Sequence, residues 1–178
     1  MKKTWTKVVV VALSCMMAFM LAACGGGGSD AGDAGAVLLG NTGPLTGPAA
    51  IYGNAVKNGG QLAVDEINAA GGLNGVKFKL VATDDMHDAT KVATNYSSML
   101  EAGMQVSLGT VTTAPGLEFK NLSMEDNVFF LTPSASGDKI PEFDNGYQMC
   151  FADGNQGKVA ANFVNENYAG QTIGVFYK

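Results

Sequence analysis

Arginine is absent from the 178-residue chain. That removes the forked guanidinium best suited to bidentate capture of a carboxylate or phosphate, so any anion site must use backbone N–H groups, hydroxyls or lysine. Cysteine and histidine are scarce, at three and one. A lone histidine, His87, offers no metal-ligand spacing and leaves His87 with Cys150 as the one Cys/His catalytic pairing to weigh. Positive charge is short too: 11 lysines face 16 acids for a net charge of −5. Three of those lysines fall at the N-terminus, so the remainder is more acidic still, which argues against nucleic acid as a partner. GxSxG, HExxH and CxxC do not occur.

The long apolar run is Val8 to Leu21, interrupted by Ser14 and Cys15 and preceded by Lys2, Lys3 and Lys7. It is short for a membrane span. A positive start, a short apolar core and the stretch Leu21-Ala22-Ala23-Cys24 form the pattern of a lipoprotein signal peptide, so residues 1–23 are expected to be cleaved. Resemblance to that pattern implies a diacylglyceryl group on the Cys24 thiol and acylation of its freed amine. Two or more acyl chains, at ~0.8 kcal/mol per buried CH₂, hold a protein on a membrane durably. The expected location is extracytoplasmic, anchored by lipid to the cell membrane. Residues 24–36, largely Gly25-Gly26-Gly27-Gly28 and GSDAGDAG-like sequence, read as a flexible tether. With Cys15 removed and Cys24 lipidated, Cys150 has no intrachain disulfide partner.

After the tether, strand and helix patterns alternate. Val37 to Asn41 reads as a strand, and Ala55, Val56, Gly59, Leu62, Ala63 and Ile67 repeat at helical spacing until Gly71-Gly72 stops them. Val76 to Thr83 is a second strand. Asp88 can cap a helix running to Glu101, which Gly103 ends. Further strands are expected at 104–108 and 128–132, with a helix near 115–125 between them. An extended segment at 147–151, a helix at 156–168 and a strand at 172–177 complete the pattern. This alternation predicts an α/β fold, a parallel sheet flanked by helices on both faces. Ligands of such sheets sit beyond the carboxyl ends of the strands, which selects the loops 41–53, 84–88, 109–115 and 132–138.

In loop 109–115 a strand end passes into a helix whose first turn contains Pro115. Free N–H groups there suit a carboxylate, and the Thr113 hydroxyl adds a donor; alternatively Thr113 caps its own helix. Loop 132–138 is small and polar, with Ser134, Ala135 and Ser136 leaving backbone groups open to a ligand or forming an ordinary turn. Tyr52 stands at the mouth of the first helix as a pocket wall or a packing residue. Loop 41–53 lacks the motifs of nucleotide binding. Asp84, Asp85, His87 and Asp88 invite a metal reading, but acids at a strand end are commonly caps and turn formers, and no metal or other cofactor is expected. Cys150 alternates with Met149 and Phe151, which suggests a buried, inert thiol.

The order LLGNTGPLTGPAAIYG, VDEINAAGGLNG, ATDD, GTVTTAP and LTPSAS resembles the type I periplasmic-binding-protein family of branched-chain amino acid ABC transporters. The resemblance runs from Val37 to the last residue. It implies two α/β lobes closing on an amino acid, no catalysis, and delivery to an ABC permease. On matching positions it implies that Thr113 holds the ligand carboxylate, Ala135 offers its carbonyl to the ammonium, Ser136 touches both and Tyr52 walls the pocket, with Thr112 and Ser134 as neighbours. Residues 37–150 would form an incomplete N-terminal lobe, and 151–178 the crossover and start of a truncated second one. One wall of a cleft is expected to bind its ligand weakly, if at all. Some relatives carry cysteines where this chain has His87 and Thr112, so that disulfide is missing. The rival classes are a secreted α/β enzyme such as a hydrolase, and a sensory ectodomain.

Overall fold

The structure, a computed structural model, describes residues 35–176. The expected signal peptide, Cys24 and most of the tether lie outside the described residues. Five strands form one parallel sheet: β1 (Val37–Gly43), β2 (Phe78–Asp84), β3 (Met104–Thr110), β4 (Phe130–Thr132) and β5 (Gly146–Gln148), in the order β2-β1-β3-β4-β5. Helix α1 (Ala50–Ala69) connects β1 to β2, α2 (Val92–Glu101) connects β2 to β3, and α3 (Thr113–Glu125) connects β3 to β4; α4 (Asp153–Asn167) follows β5. The chain leaves β1 in one direction to form β2, then returns past β1 to form β3. With right-handed crossovers, that reversal puts α1 on one face and α2 and α3 on the other. The β1/β3 boundary is therefore the switch point at which open α/β sheets hold ligands.

The core fills the α2/α3 face. Val92, Tyr96 and Met99 repeat every three or four residues along α2 and are buried against Phe119 of α3, Phe130 of β4 and Ile140. Phe119 stands edge-on to Tyr96 and Phe130, with ring centroids 5.2 and 5.5 Å away. Lys120 is buried as well; its ammonium pairs with Glu142 and lies 5.3 Å from the centre of the Phe143 ring. That pair ties α3 to the segment leading into β5.

The turns follow their residues. Gly71 and Gly72 end α1 with φ of +103° and +84°, and the Gly72 N–H donates to the Ile67 carbonyl at 2.8 Å. Asn74 and Gly75, both with positive φ, let Leu73 and Val76 exchange two backbone hydrogen bonds, so β2 begins at Phe78 and not at Val76. Asp88 accepts the Thr90 N–H, capping a 3₁₀ turn (Ala89–Lys91) before α2.

Three expectations shift. The buried stripe of α1 runs through Gly53 and Val64, while Leu62 and Ile67 are exposed; Gly60 packs closely on the strands, since a Cβ there would lie 3.0 Å from Leu108 and 3.3 Å from Leu80. Small residues let α1 approach the sheet, which rotates its contact face away from the larger apolar side chains. Cys150 lies beyond β5, half-buried, with its thiol directed to the Ala135 carbonyl. No strand forms over 172–176, because a strand needs a neighbour for its ladder hydrogen bonds and none lies beside it among the described residues.

Candidate functional site

The strand ends are cross-tied by buried polar side chains. The Ser107 hydroxyl donates to the Gly40 carbonyl at 3.1 Å, the Asn41 amide to the Gly109 carbonyl at 3.3 Å, and the Thr132 hydroxyl to the Thr110 carbonyl at 2.6 Å. Asn95 of α2 donates to the Thr42 hydroxyl at 3.1 Å. Gly109 has a φ of +62°, and a Cβ there would lie 3.0 Å from the Thr132 Cα. Glycine is required because the ends of β3 and β4 nearly touch. These ties bring loops 109–115 and 132–138 to one edge.

Thr112 is the N-cap residue of α3, yet its hydroxyl makes no capping bond; it is buried without a partner. The first-turn N–H groups of α3 are thus left to bind something else. Gly137 brings the second loop close: a Cβ there would lie 2.5 Å from the Thr113 methyl. The result is a cavity of about 530 Å³ lined by Tyr52, His87, Val111, Thr112, Thr113, Ala114, Leu117, Ser134 and Ser136. A separate apolar hollow of about 490 Å³ lies along α4, lined by Phe151, Val159 and Phe163 among others.

Five of the six residues expected at a ligand site, namely Tyr52, Thr112, Thr113, Ser134 and Ser136, share this wall. Tyr52 lies in the first turn of α1, 61% exposed. Ala135 differs. It is buried outside the lining, and its carbonyl, expected to be open, accepts the Gln148 amide at 2.6 Å and the Cys150 thiol at 3.4 Å. His87, first weighed as a metal ligand, stands on the cavity wall together with Thr112. Val111, Ala114 and Leu117 supply an apolar floor that loop-by-loop reading missed; Val111 directly precedes the singled-out threonines, and Leu117 lies one helical turn beyond Thr113.

The acids serve the backbone. Asp84 accepts the Leu45 N–H at 2.8 Å, the Thr46 hydroxyl at 2.5 Å and the Met86 N–H at 2.9 Å. Burial alone would raise its pKa, but the Thr46 hydroxyl and these N–H groups outweigh it and hold the carboxyl below its ordinary value. Met86 and His87 both take left-handed φ, +54° and +63°. Such a pair costs non-glycine residues energy, and the N–H bonds to Asp84 and Asp85 hold it in place.

Asp85 is fully buried; Oδ1 accepts the His87 N–H at 2.8 Å, and Oδ2 has no partner. Burial pushes its pKa above 3.8, and the Asp84 charge adds to that, against the opposing pull of the His87 N–H. A raised carboxyl binds its proton more tightly in the folded chain. Its favourable contribution is therefore complete below 3.8 and is lost as pH rises through the folded value. Asp85→Asn is expected to be more stable than the native chain at neutral pH, with the advantage fading in acid; urea melts across that range check it.

An open parallel sheet with hydroxyls and free helix N–H groups at its switch point defines an α/β lobe for a small solute. The chain belongs to the periplasmic binding protein family, whose model matches residues 36–178, and within it to the type I proteins of branched-chain amino acid ABC transporters. It is 32% identical over 141 residues to the Leu/Ile/Val-binding protein BraC3 of Rhizobium johnstonii, covering 78% of this chain and 38% of that protein. It is also 32% identical over 139 residues to the leucine-, isoleucine-, valine-, threonine- and alanine-binding protein of Pseudomonas aeruginosa, covering 76% and 37%. Among solved structures it resembles the branched-chain amino acid transporter substrate binding protein LivJ of Streptococcus pneumoniae in complex with isoleucine, at a TM-score of 0.69, 29% identity, and 74% and 38% coverage. The chain thus spans less than two fifths of the length of these curated relatives.

Proposed function

We propose that the chain is the N-terminal part of a substrate-binding lipoprotein of an ABC importer, which holds an amino acid of branched-chain type and delivers it to the permease without making or breaking bonds. The observation that carries this reading is the cavity itself, where Thr112, Thr113, Ser134 and Ser136 surround the uncapped start of α3. A helix N-terminus with hydroxyls beside it favours a carboxylate, and no arginine is needed. Tyr52, Val111 and Leu117 supply apolar wall for an aliphatic side chain. The names of the curated relatives point the same way.

In this reading residues 37–150 belong to the N-terminal lobe and 151–178 to the crossover and the start of a second lobe. The exposure of α4 supports that division: its N-terminus is fastened by the Ser136 carbonyl and the Asp138 carboxylate, but none of its side chains is buried, and all except the half-buried Val164 are exposed among the described residues. Closure of two lobes over the ligand would then complete the site. The lipid anchor at Cys24 rests on the signal pattern and places the receptor on the outer side of the membrane. An enzyme would need a nucleophile beside a base; His87 shares the cavity wall with Ser134 and Ser136, but among the described residues no hydrogen bond joins its imidazole to a hydroxyl.

Titration of the ¹⁵N-labelled chain with leucine tests the reading: the Thr113 and Ser136 amides should shift together. Thr113→Ala should weaken that binding about tenfold, the value of one hydrogen bond to a charged group. Unmoved amides at leucine concentrations that saturate a millimolar site would remove the carboxylate assignment.

A further inference from the structure

The strand order β2-β1-β3-β4 sets what each side of the cavity presents. Thr113, Ser134 and Ser136 stand on the β3 and β4 side with the N–H groups of α3. On the β1 and β2 side stand two rings, Tyr52 from the first turn of α1 and His87 from the turn after β2. The rings belong to different loops. The ladder between β1 and β2 ends where Gly43 pairs with Asp84, and the Asp85 N–H donates to the Gly43 carbonyl at 3.1 Å. Beyond that point the two loops part, and a solute that touches both rings needs them held in one arrangement.

One side chain reaches both loops. The Asp84 carboxylate accepts the Leu45 N–H at 2.8 Å and the Thr46 hydroxyl at 2.5 Å on one side, and the Met86 N–H at 2.9 Å on the other. The first arm runs on to Tyr52. The Leu45 carbonyl accepts the Asn54 amide at 3.1 Å, and Asn54 also donates to the Ala50 carbonyl at 2.9 Å, so the loop is fastened to the helical turn that carries Tyr52. The second arm fixes Met86, the first of two residues at left-handed φ, and with it the direction in which His87 leaves the backbone. A carboxylate suits both arms together, because its two oxygens accept up to about four hydrogen bonds while a neutral amide offers one oxygen.

We propose that Asp84 is a positioning residue for ligand binding: by tying the β1–α1 loop to the turn after β2, it sets Tyr52 and His87 at the separation that a single solute bridges. Asp84 does not line the cavity, so its effect on affinity passes through the two rings. A site whose contact groups are left unsupported is loose, and binding weakens although every contact residue is present. This rests on the carboxylate reading of the same cavity, which orients the solute toward the rings.

The full-length ¹⁵N-labelled chain and its variants are titrated with leucine, following the Thr113 and Ser136 amides. Asp84→Ala should weaken leucine about tenfold, within the range shown by groups coupled through one network. Asp84→Asn keeps an oxygen for the Leu45 and Met86 N–H groups and should recover affinity to within about threefold of native. In a Tyr52→Ala/His87→Ala chain there are no rings to place, and adding Asp84→Ala should change affinity by less than about twofold. A native affinity in Asp84→Ala overturns the proposal. So does the same tenfold loss in the chain without the rings, the result expected if Asp84 only braces the fold. Should Asp84→Ala give no folded spectrum, Thr46→Val decides, since it cuts one arm at an exposed hydroxyl. A loss of about threefold there supports the proposal, and an unchanged affinity overturns it. Silence of Thr113 and Ser136 in the native chain would overturn the carboxylate reading itself, a result that does not involve Asp84.

Discussion

Phe119→Ala is expected to lower stability by about 3–5 kcal/mol, the cost of emptying a phenylalanine site in a packed core. Phe119 has no exposed surface and stands between the rings of Tyr96 and Phe130, joining α2, α3 and β4 in one contact. Its two ring neighbours sit on different elements, so the void cannot close by the movement of one side chain. The loss is a large fraction of the ~5–15 kcal/mol that holds a domain together. It also reaches the cavity, because Phe119 anchors to the core the same helix whose first turn presents Thr113. Denaturant melts should show a lower midpoint, and a loss below about 1 kcal/mol would mean that Phe119 is not the centre of this core.

The second large effect is a contrast within one helix. A Cβ on Gly53 would lie 2.1 Å from the Pro44 carbonyl oxygen, 2.6 Å from its carbon and 3.0 Å from its nitrogen, all backbone atoms. Alanine in a helix gains about 1 kcal/mol over glycine. Overpacking against atoms that cannot rotate away costs up to about 3 kcal/mol or more. Gly53→Ala is therefore expected to destabilise by about 2 kcal/mol and to push the first turn of α1, with Tyr52, off its place. Gly59 has nothing within 4 Å of its would-be Cβ, so Gly59→Ala should stabilise by about 0.5–1 kcal/mol. Paired melts of the two variants measure the difference, and equal effects would show that α1 does not press on Pro44.

Much of the fold could be read from periodicity and punctuation. The alternation of β-rich runs with helical patterns marks a parallel sheet, and Gly71-Gly72, Asp88 and Gly103 mark helix ends where the structure has them. Boundaries moved where backbone turn geometry competed with apolar pattern, as at Val76, which pairs across a four-residue turn instead of entering β2. The stripe of α1 moved because glycines set how closely it packs, and a hydrophobicity pattern does not weigh glycines.

The candidate site divides along the same line. Thr113, Ser134 and Ser136 could be singled out from their loops, since strand ends that pass into small polar residues are where an open α/β sheet holds ligands. His87 was named for other chemistry, and Val111 and Leu117 carried no signal of their own. Their convergence depends on Gly109 and Gly137 allowing β3, β4 and α3 to approach within contact distance.

By itself the sequence determined the parallel α/β order, the loops that carry polar chemistry, and the need for an anion site without arginine, because spacing and residue type are local properties of the chain. Only the tertiary structure decided that the Thr112 hydroxyl is left unpaired and that Gln148, thirteen residues past Ala135, holds its carbonyl. Hydrogen-bond partners are chosen by proximity after folding, and proximity across a sheet is not written in spacing along it.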